Sequence, residues 1–247
     1  MTGLAVVTGA GAGLGRAMAV ELVRRGVAVA GFGRNPGPLE ETARIAGPGF
    51  WPMVVDVTDP NAVAAAFAAL PAPVTILINN AAVYPRRDIF DETPGSFMDT
   101  LAVNLGGVVA CTDAALRQMV LTGVGRIMNV STFADLDPLP ASAAYAVSKG
   151  AVRIYTRALV ADLADRFPQI VINDWMPGAL ATGMGAPDGL DPAVAARWGV
   201  ELALWHDPSL TGTVFERDLE LLPPRSLKGR VRDVVLLGSK RKARRLD

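Results

Sequence analysis

The stretch GLAVVTGAGAGLGRAMAVELVRRG (residues 3–26) joins an apolar run, a glycine-rich loop and a helical pattern. The apolar run at 3–9 lacks a regular polar alternation, which indicates a strand covered on both faces. The helical pattern that follows stops at Gly26, and glycine is the preferred residue just past a helix C-terminus. The stretch therefore predicts a strand–loop–helix unit at the start of an α/β fold.

The same order of elements repeats along the chain. Five further apolar runs read as buried strands, at 27–32, 51–57, 74–80, 125–131 and 170–176. Helical patterns separate them, two of them long (93–120 and 144–167), and Asp59-Pro60 and Thr93-Pro94 mark helix starts. The alternation predicts an α/β doubly wound (Rossmann-type) parallel sheet with helices on both faces. No composition break occurs before about residue 180, so we expect a single domain over residues 1–247.

Composition argues against several classes of protein. Hydrophobic residues make up 51% of the chain and charged residues 19%, which indicates a large buried core. The 24 basic and 24 acidic residues balance, so we expect no nucleic-acid or membrane partner. The single cysteine, Cys111, allows no internal disulfide. With only one histidine in addition, His206, the sequence offers no metal-ligand pattern. No signal-like start and no membrane-length apolar run is found, so a cytoplasmic protein is the expectation.

The loop TGAGAGLG (8–15) is the first candidate binding site. Gly9, Gly13 and Gly15 follow the pattern G-x-x-x-G-x-G, whereas G-x-G-x-x-G fits at no position. Glycines permit a tight turn and a close backbone approach, and the N–H groups of a helix N-terminus bind a pyrophosphate. Ligands of doubly wound sheets bind beyond the carboxyl ends of the strands, so the loop predicts a dinucleotide site.

The end of the second strand indicates which dinucleotide binds. A carboxylate there would bind the ribose hydroxyls of NAD, whereas an arginine accommodates the 2′-phosphate of NADP. The strand ends in AGFGRN, with Gly33 where the acid would be and Arg34 next. We therefore expect NADP(H) as the cofactor and Arg34 as its phosphate partner.

Tyr145 and Lys149 lie four residues apart in the segment AYAVSKG (144–150), so both face one side of a predicted helix. A phenol with a reference pKa of about 10 is a poor acid–base group at neutral pH. A nearby ammonium, together with a cationic nicotinamide ring, favours the phenolate and lowers that pKa. The pair is a candidate proton-transfer site.

The complete set of motifs resembles the short-chain dehydrogenase/reductase family. The set comprises TGAGAGLG at 8–15, Asp56-Val57, NNAA at 79–82, Val103-Asn104, YAVSK at 145–149 and PGALATGM at 177–184, in the family's order and spacing. The resemblance implies that Tyr145 protonates the substrate carbonyl and that Lys149 holds the nicotinamide ribose and lowers the pKa of the tyrosine. It also implies that Asn104 anchors a water in a proton relay, and that the chain forms a homodimer or homotetramer.

The resemblance further implies a set of cofactor contacts. Asp56 would contact the adenine, Asn79 and Ala81 the ribose region, and Thr182 the carboxamide. The full expected set is Gly9, Gly11, Ala12, Gly13, Leu14, Gly15, Arg34, Asp56, Val57, Asn79, Asn80, Ala81, Tyr145, Lys149, Pro177, Gly178 and Thr182.

The segment GRIMNVSTFAD (125–135) ends a predicted strand in two hydroxyl residues, Ser131 and Thr132. Adjacent strand residues point to opposite faces, so at most one of the two faces a given site. The family places its catalytic hydroxyl thirteen residues before the tyrosine, which implies Thr132. Thr132 would hydrogen-bond the substrate carbonyl and stabilise the developing oxyanion. Ser131 is the alternative if the strand carries a bulge.

The expected substrate contacts are Thr132, Phe133, Tyr145 and Met184. The segment at about 184–205 would form a substrate lid, with Trp198 and Leu139 also lining an apolar pocket that favours a ketone with apolar bulk. The segment at about 217–247 departs from the family's usual C-terminus and is an atypical extension. The adjacent Arg86 and Arg87 are expected to face solvent rather than an anionic substrate.

These observations predict an NADPH-dependent carbonyl reductase or alcohol dehydrogenase that acts on a small-molecule ketone or secondary alcohol. One alternative is an NADP(H)-binding sensor or scaffold of the same fold, which the intact Asn104, Tyr145 and Lys149 set disfavours. An epimerase or dehydratase that uses the same cofactor is a second alternative. A hydrolase is disfavoured because AVSKG (146–150) lacks the first glycine of G-x-S-x-G and lies inside a helical pattern.

Overall fold

The sheet of the protein has eight strands. A computed structural model describes residues 3–222 and 242–247. Seven parallel strands run in the order β3-β2-β1-β4-β5-β6-β7, and β8 pairs antiparallel with β7 at one edge. The strands are β1 (Leu4–Thr8), β2 (Ala28–Gly33), β3 (Phe50–Val54), β4 (Val74–Asn79), β5 (Val124–Val130), β6 (Gln169–Met176), β7 (Val214–Glu216) and β8 (Leu219–Leu221). The predicted doubly wound fold is confirmed.

Helices cover both faces of this sheet. They are α1 (Gly13–Arg24), α2 (Pro36–Ala46), α3 (Pro60–Ala68), α4 (Pro94–Leu101), α5 (Gly107–Thr122), α6 (Ala143–Leu163) and α7 (Pro192–Leu204). Buried side chains of α1, α2 and α7 form one core with the sheet. Those of α3, α5 and α6 form a second core on the other face. The strand order reverses between β1 and β4, and this switch point opens a crevice at their carboxyl ends.

β3 differs from its prediction. The apolar run at 51–57 predicts a strand buried on both faces, but the strand covers Phe50–Val54 and lies at the sheet edge. Trp51 and Val54 are 40% and 62% exposed. The apolar run cannot distinguish an edge strand from a central one, although Pro52 is a residue that sheets tolerate mainly at an edge.

The long helical pattern at 93–120 is interrupted. α4 and α5 are joined by a π-helical turn at Ala102–Gly106, which contains Asn104. Thr93 caps α4 by accepting a hydrogen bond from the Ser96 N–H at 3.1 Å, as its position before Pro94 predicts. π-Turns within α-helices are frequent at functional sites, and the apolar periodicity continues across this one, so the sequence pattern does not reveal it.

The second half of the expected lid belongs to the helical layer. α7 buries Ala195, Ala196, Val200, Leu202 and Ala203 in the core that it shares with α1. Gly199 lies so close to Trp175 that an added Cβ would be 2.6 Å from the indole ring. Trp198 also packs against this core and does not line the cleft. Only the loop before α7 faces the crevice.

The expected C-terminal extension at 217–247 falls largely outside the described residues. β8 belongs to it, and in the last six residues Arg244 forms an ion pair with Glu220 at 2.8 Å while Leu246 is buried. No helix in the ranges 3–222 and 242–247 is long and apolar enough to cross a membrane.

Candidate active site

A cleft of about 640 Å³ lies at the carboxyl ends of the central strands. Its lining combines the glycine-rich loop, the segments that follow β4, β5 and β6, and the start of α6. Predicted site residues in this lining are Gly9, Ala12, Gly13, Leu14, Gly15, Asn80, Ala81, Thr132, Phe133, Tyr145, Lys149, Pro177, Gly178, Thr182 and Met184. The fold thus brings together residues that are 175 positions apart in the chain.

Three positions of the glycine-rich loop, Gly9, Gly13 and Gly15, favour glycine. Gly9 and Gly13 have positive φ angles of 69° and 49°. A Cβ on Gly15 would lie 2.2 Å from the carbonyl oxygen of Gly9, so the loop backbone folds tightly onto the first turn of α1. Ala12 precedes α1 and provides no side-chain cap, which leaves the first N–H groups of the helix to a ligand. This cradle fits the pyrophosphate of a dinucleotide.

The NNAA segment is fixed against the glycine-rich loop. The N–H groups of Asn80 and Ala81 both donate to the Thr8 hydroxyl at 2.9 Å, and the Asn80 amide donates to the Thr8 carbonyl. Asn79 differs from its prediction, because strand alternation turns its side chain into the interior. There it donates to Thr112 and to Asn129, at 3.0 and 2.8 Å. Its side chain therefore does not reach the cleft.

Four other expected cofactor residues lie outside the cleft lining. The carbonyl oxygen of Gly11 accepts a hydrogen bond from Arg16. The Val57 side chain is buried against Gly107, so only the backbone of Val57 could contact a ligand. The Arg34 side chain is exposed at the end of β2 and makes no side-chain hydrogen bond within the described residues. Hydrogen bonds from Thr58, and to a smaller extent the charge of Arg34, hold the pKa of Asp56 below its usual range.

Tyr145 and Thr132 meet at the inner end of the cleft. The side chain of Thr132, just past β5, lies beside the phenol of Tyr145, which belongs to the first turn of α6. Burial raises the pKa of Tyr145, and the neighbouring Thr132 side chain opposes that rise. Ser131 also borders the cleft, but its hydroxyl is buried and finds no partner among the described residues. The geometry thus favours Thr132 over Ser131 as the neighbour of the phenol.

Lys149 lies one helical turn after Tyr145 and is buried. Its ammonium donates to the carbonyl oxygen of Val130 at 2.8 Å, which ties α6 to the end of β5. Burial lowers the pKa of Lys149 to about 8, and the carboxylate of Asp174 opposes this shift. A lysine with this pKa changes its charge close to neutral pH.

Asn104 acts on the loop after β4. From the π-turn, its carboxamide accepts from the Val83 N–H at 2.7 Å and donates to the Val83 carbonyl at 2.9 Å and to Ser148 at 3.0 Å. The side chain is completely buried, so these contacts occupy its polar atoms. It therefore joins the loop after β4 to α6, and both of its amide hydrogens are used in doing so.

Two residues near the site are absent from the sequence predictions: Tyr84 stacks on Tyr145, and Asp174 of β6 is buried where its charge acts on Lys149. Arg86 is exposed, as expected, but it also lines the cleft and donates to Gly185 across it. Burial raises the pKa of Asp174 to about 7, against the effects of Thr156 and of neighbouring cations. A carboxylate inside the largely apolar run at 170–176 is the available signal for Asp174, whereas Tyr84 and Arg86 carry no local pattern.

The outer rim of the cleft is apolar. Phe133 and Leu139 on the segment after β5, and Met184 on the segment after β6, line the cleft and keep at least a third of their surface exposed. The placement agrees with the expected substrate side of the site. Within the described residues, no group of three or more histidine, cysteine, aspartate or glutamate side chains is arranged to hold a metal.

Known proteins share both the sequence and this architecture. Residues 3–192 match the family model described as short chain dehydrogenase. The chain is 34% identical to carbonyl reductase (NADPH) 2 of Sus scrofa over 194 residues, which covers 78% of each protein. It is 33% identical to D-erythrulose reductase of Gallus gallus over 193 residues, which covers 78% of this chain and 77% of the relative.

A solved structure of a short chain dehydrogenase/reductase family protein superposes with a TM-score of 0.80 at 28% identity. That match covers 86% of this chain and 94% of the other. The cleft and the matched motifs occupy the same part of the chain, since the family match spans β1 to the start of α7. The chain therefore belongs to the short chain dehydrogenase family, and it is an oxidoreductase of that family.

Proposed function

We propose that this oxidoreductase uses NADP(H) to transfer hydride between the nicotinamide and a ketone or secondary alcohol, with Tyr145 as the general acid–base. The observation that carries the proposal is the meeting of three groups in one cleft. The phenol of Tyr145 lies beside the Thr132 side chain, and Lys149 is buried one helical turn away. All three residues line a cleft that also contains the uncapped N-terminus of α1 and its glycine-rich loop. Binding alone would not require a proton donor there.

The cofactor-binding half of the cleft has groups for each part of a dinucleotide. The glycine-rich loop and the N–H groups of α1 would bind the pyrophosphate, Asn80 and Ala81 would border the ribose region, and Thr182 would meet the carboxamide. Thr182 lies against Gly13, with its methyl group 3.2 Å from where a Cβ would stand. When bound, the nicotinamide supplies or accepts the hydride.

Tyr145 would transfer the proton in both directions of the reaction. During reduction it donates the phenolic proton to the carbonyl oxygen while the carbonyl carbon gains hydride, and solvent later returns a proton to the phenolate. In oxidation the phenolate accepts the proton of the alcohol. Thr132 would hold the carbonyl oxygen with a hydrogen bond that strengthens as negative charge develops. The ammonium of Lys149 favours the phenolate and would bind the nicotinamide ribose.

Arg34 supports a preference for NADP(H) over NAD(H). It follows Gly33, where a carboxylate would bind ribose hydroxyls, and its exposed side chain is available for a 2′-phosphate. The relative from Sus scrofa is named an NADPH carbonyl reductase. A second structure, described as an NAD(P)-dependent gluconate 5-dehydrogenase from Beutenbergia cavernae with bound NADP, has a TM-score of 0.78 at 28% identity over 87% of this chain and 94% of the other.

The substrate half of the cleft suits a ketone that carries an apolar substituent. Phe133, Leu139 and Met184 present apolar surface around the opening, while Thr132 and Tyr145 supply the polar contacts at the inner end. An apolar group placed against the rim would orient the carbonyl towards the two hydroxyls.

We also propose that the protein is a homo-oligomer. Val147 and Ile154 lie two turns apart on α6 and are 51% and 60% exposed, and Val109 on α5 is exposed as well. Apolar side chains grouped on helices in this way favour burial against a second copy. Light scattering coupled to gel filtration should report a dimer or tetramer, and Ile154→Lys should shift it towards a monomer.

The function is tested by NADPH oxidation with a panel of aliphatic and aromatic ketones. We expect turnover by the wild type and a loss of at least about 1,000-fold in Tyr145→Phe, because the phenylalanine keeps the ring but cannot transfer a proton. Binding of NADPH should persist in this variant, which excludes a loss of the fold. Full activity of Tyr145→Phe would contradict the proposal.

A further inference from the structure

Two loops that flank the cleft are joined by a single side chain. The loop after β4 carries Tyr84 and Arg86, and the loop after β6 carries Gly185. Arg86 Nη2 donates to the carbonyl oxygen of Gly185 at 3.1 Å across the opening. Within residues 3–222, this is the hydrogen bond that connects the two loops. We name Tyr84, Arg86 and Gly185 the clasp.

Tyr84 lies between Arg86 and Tyr145. Its ring stacks on that of Tyr145 with centroids 4.3 Å apart and planes inclined by 25°. The guanidinium carbon of Arg86 lies 5.4 Å from the centre of the Tyr84 ring. Stacked aromatic rings and cations over aromatic rings attract each other beyond simple area burial. The clasp therefore forms a continuous series of contacts from Gly185 to the phenol of Tyr145.

The backbone beneath Tyr84 is also held firmly. Val83, the preceding residue, exchanges two hydrogen bonds with the buried carboxamide of Asn104, at 2.7 and 2.9 Å. Asn104 is in turn bonded to Ser148, next to Lys149 on α6. Tyr84 is thus fixed from its backbone side by the π-turn and from its ring side by Arg86, and little freedom is left to its ring.

We propose that Tyr84 is a positioning residue that holds the phenol of Tyr145 in its reactive orientation, and that Arg86 keeps Tyr84 in place by its bond to Gly185. The inference rests on the proposed function, since it concerns the proton donor of that reaction. Tyr145 lines the cleft, and a phenol in a cleft wall keeps rotational freedom unless its ring packs against a neighbour such as Tyr84. Stacking removes that freedom, and small losses of orientation in an active site reduce rates strongly.

The same geometry predicts that the ring of Tyr84 matters and that its hydroxyl group does not. The ring carries the stacking contact with Tyr145, so a phenylalanine preserves the function and an alanine does not. Arg87, the next residue after Arg86, is a matched control because it pairs with Glu92 at 3.5 Å and does not line the cleft. Methionine at either position keeps an unbranched side chain and removes the charge.

The experiment measures kcat for ketone reduction at saturating NADPH and ketone, together with the Kd of NADPH, in Tyr84→Ala, Tyr84→Phe, Arg86→Met and Arg87→Met. We expect kcat to fall about 10- to 100-fold in Tyr84→Ala and to stay within about threefold of the wild type in Tyr84→Phe. Arg86→Met should lower kcat by a smaller factor, and Arg87→Met should leave it unchanged. The Kd of NADPH should stay constant throughout, which shows that the variants fold.

Three results would overturn the inference. They are wild-type kcat in Tyr84→Ala, equal losses in the alanine and phenylalanine variants, and equal effects of Arg86→Met and Arg87→Met. Tyr145→Phe separates this inference from the proposed function. If Tyr145→Phe is inactive while Tyr84→Ala is fully active, only the inference fails. If Tyr145→Phe is active, the proposed function itself fails.

Discussion

The ammonium of Lys149 donates a hydrogen bond to the carbonyl oxygen of Val130 at 2.8 Å, and this bond joins α6 to the last residue of β5. The lysine is thereby held at the carboxyl end of the sheet, one turn from Tyr145, and its partner Val130 lies two residues before Thr132. Burial lowers the pKa of this ammonium to about 8, and the charge of Asp174 opposes the shift. Because Tyr145 and Lys149 are four residues apart on α6, the bond that fixes the lysine also holds the proposed acid in the cleft.

The hydroxyl pair gives the first prediction. Thr132→Ala should lower kcat by about 100- to 1,000-fold, because the carbonyl oxygen loses a hydrogen bond that strengthens in the transition state. Ser131→Ala should retain most of the activity, and Thr132→Ser should restore it, since serine donates the same bond. Steady-state ketone reduction measures all three. Loss of activity in Ser131→Ala alone would assign the role to Ser131.

The pKa of Lys149 should set the alkaline limit of the reaction. Its pKa is lowered to about 8, so the free enzyme loses the ammonium above that pH. The kcat/KM for reduction should therefore fall above about pH 8. Asp174→Asn should move this decline to lower pH, because the carboxylate of Asp174 raises the pKa of Lys149. A profile that the substitution leaves in place would refute the coupling between the two residues.

Asp174 also predicts a pH dependence of stability. Burial raises its pKa to about 7 from an ordinary value of 3.8, so between these values the folded protein keeps a proton that the unfolded chain has released. Its contribution to the unfolding free energy is therefore present at low pH and is lost as pH rises through this range, by up to about 1.4 kcal/mol per pH unit.

Relative to the wild type, Asp174→Asn should gain roughly 2 to 4 kcal/mol in unfolding free energy between pH 4 and pH 7. Chemical denaturation at several pH values measures the difference. Asp188→Asn removes an exposed carboxylate and serves as the control for the change in charge. An equal pH dependence in both variants would count against a buried, protonated Asp174.

The glycine-rich cradle is tested by Gly15→Ala. The new Cβ would lie 2.2 Å from the carbonyl oxygen of Gly9, so the loop must open, and NADPH binding should weaken by about 10- to 100-fold. Gly37→Ala places a Cβ in open space and should bind NADPH like the wild type. Thermal midpoints of both variants show whether any loss comes from unfolding. Unchanged binding in Gly15→Ala would remove the cradle from the cofactor site.

Local patterns in the sequence predict much of this site. Gly9 to Gly15 follow a strand and open a helix, and Tyr145 and Lys149 share one helix face, so a short window of sequence contains each motif. The structure places both motifs in one cleft because the parallel strands end at the same edge. The family resemblance adds Thr132 and the segment from Pro177 to Thr182, whose spacing alone assigns no role.

Other features depend on contacts between distant residues, which no local pattern encodes. Tyr84 meets Tyr145 across 61 positions of the chain, and Arg86 meets Gly185 across 99. Asn79 reads as a cleft residue in its motif, but strand alternation turns it inward to Thr112 and Asn129. α7 resembles a lid by its position, yet its small buried residues pack against the core.

Binding of NADP(H) in the cleft, with Arg34 outside it as the partner of the 2′-phosphate, is tested most directly by a fluorescence titration of the purified protein with NADPH and NADH. The wild type should bind NADPH more tightly than NADH, and Arg34→Ala should weaken NADPH binding by about 10- to 100-fold while it leaves NADH binding unchanged, because a charge-assisted bond to the 2′-phosphate is lost. A wild-type preference for NADH, or binding of neither dinucleotide, would contradict the claim.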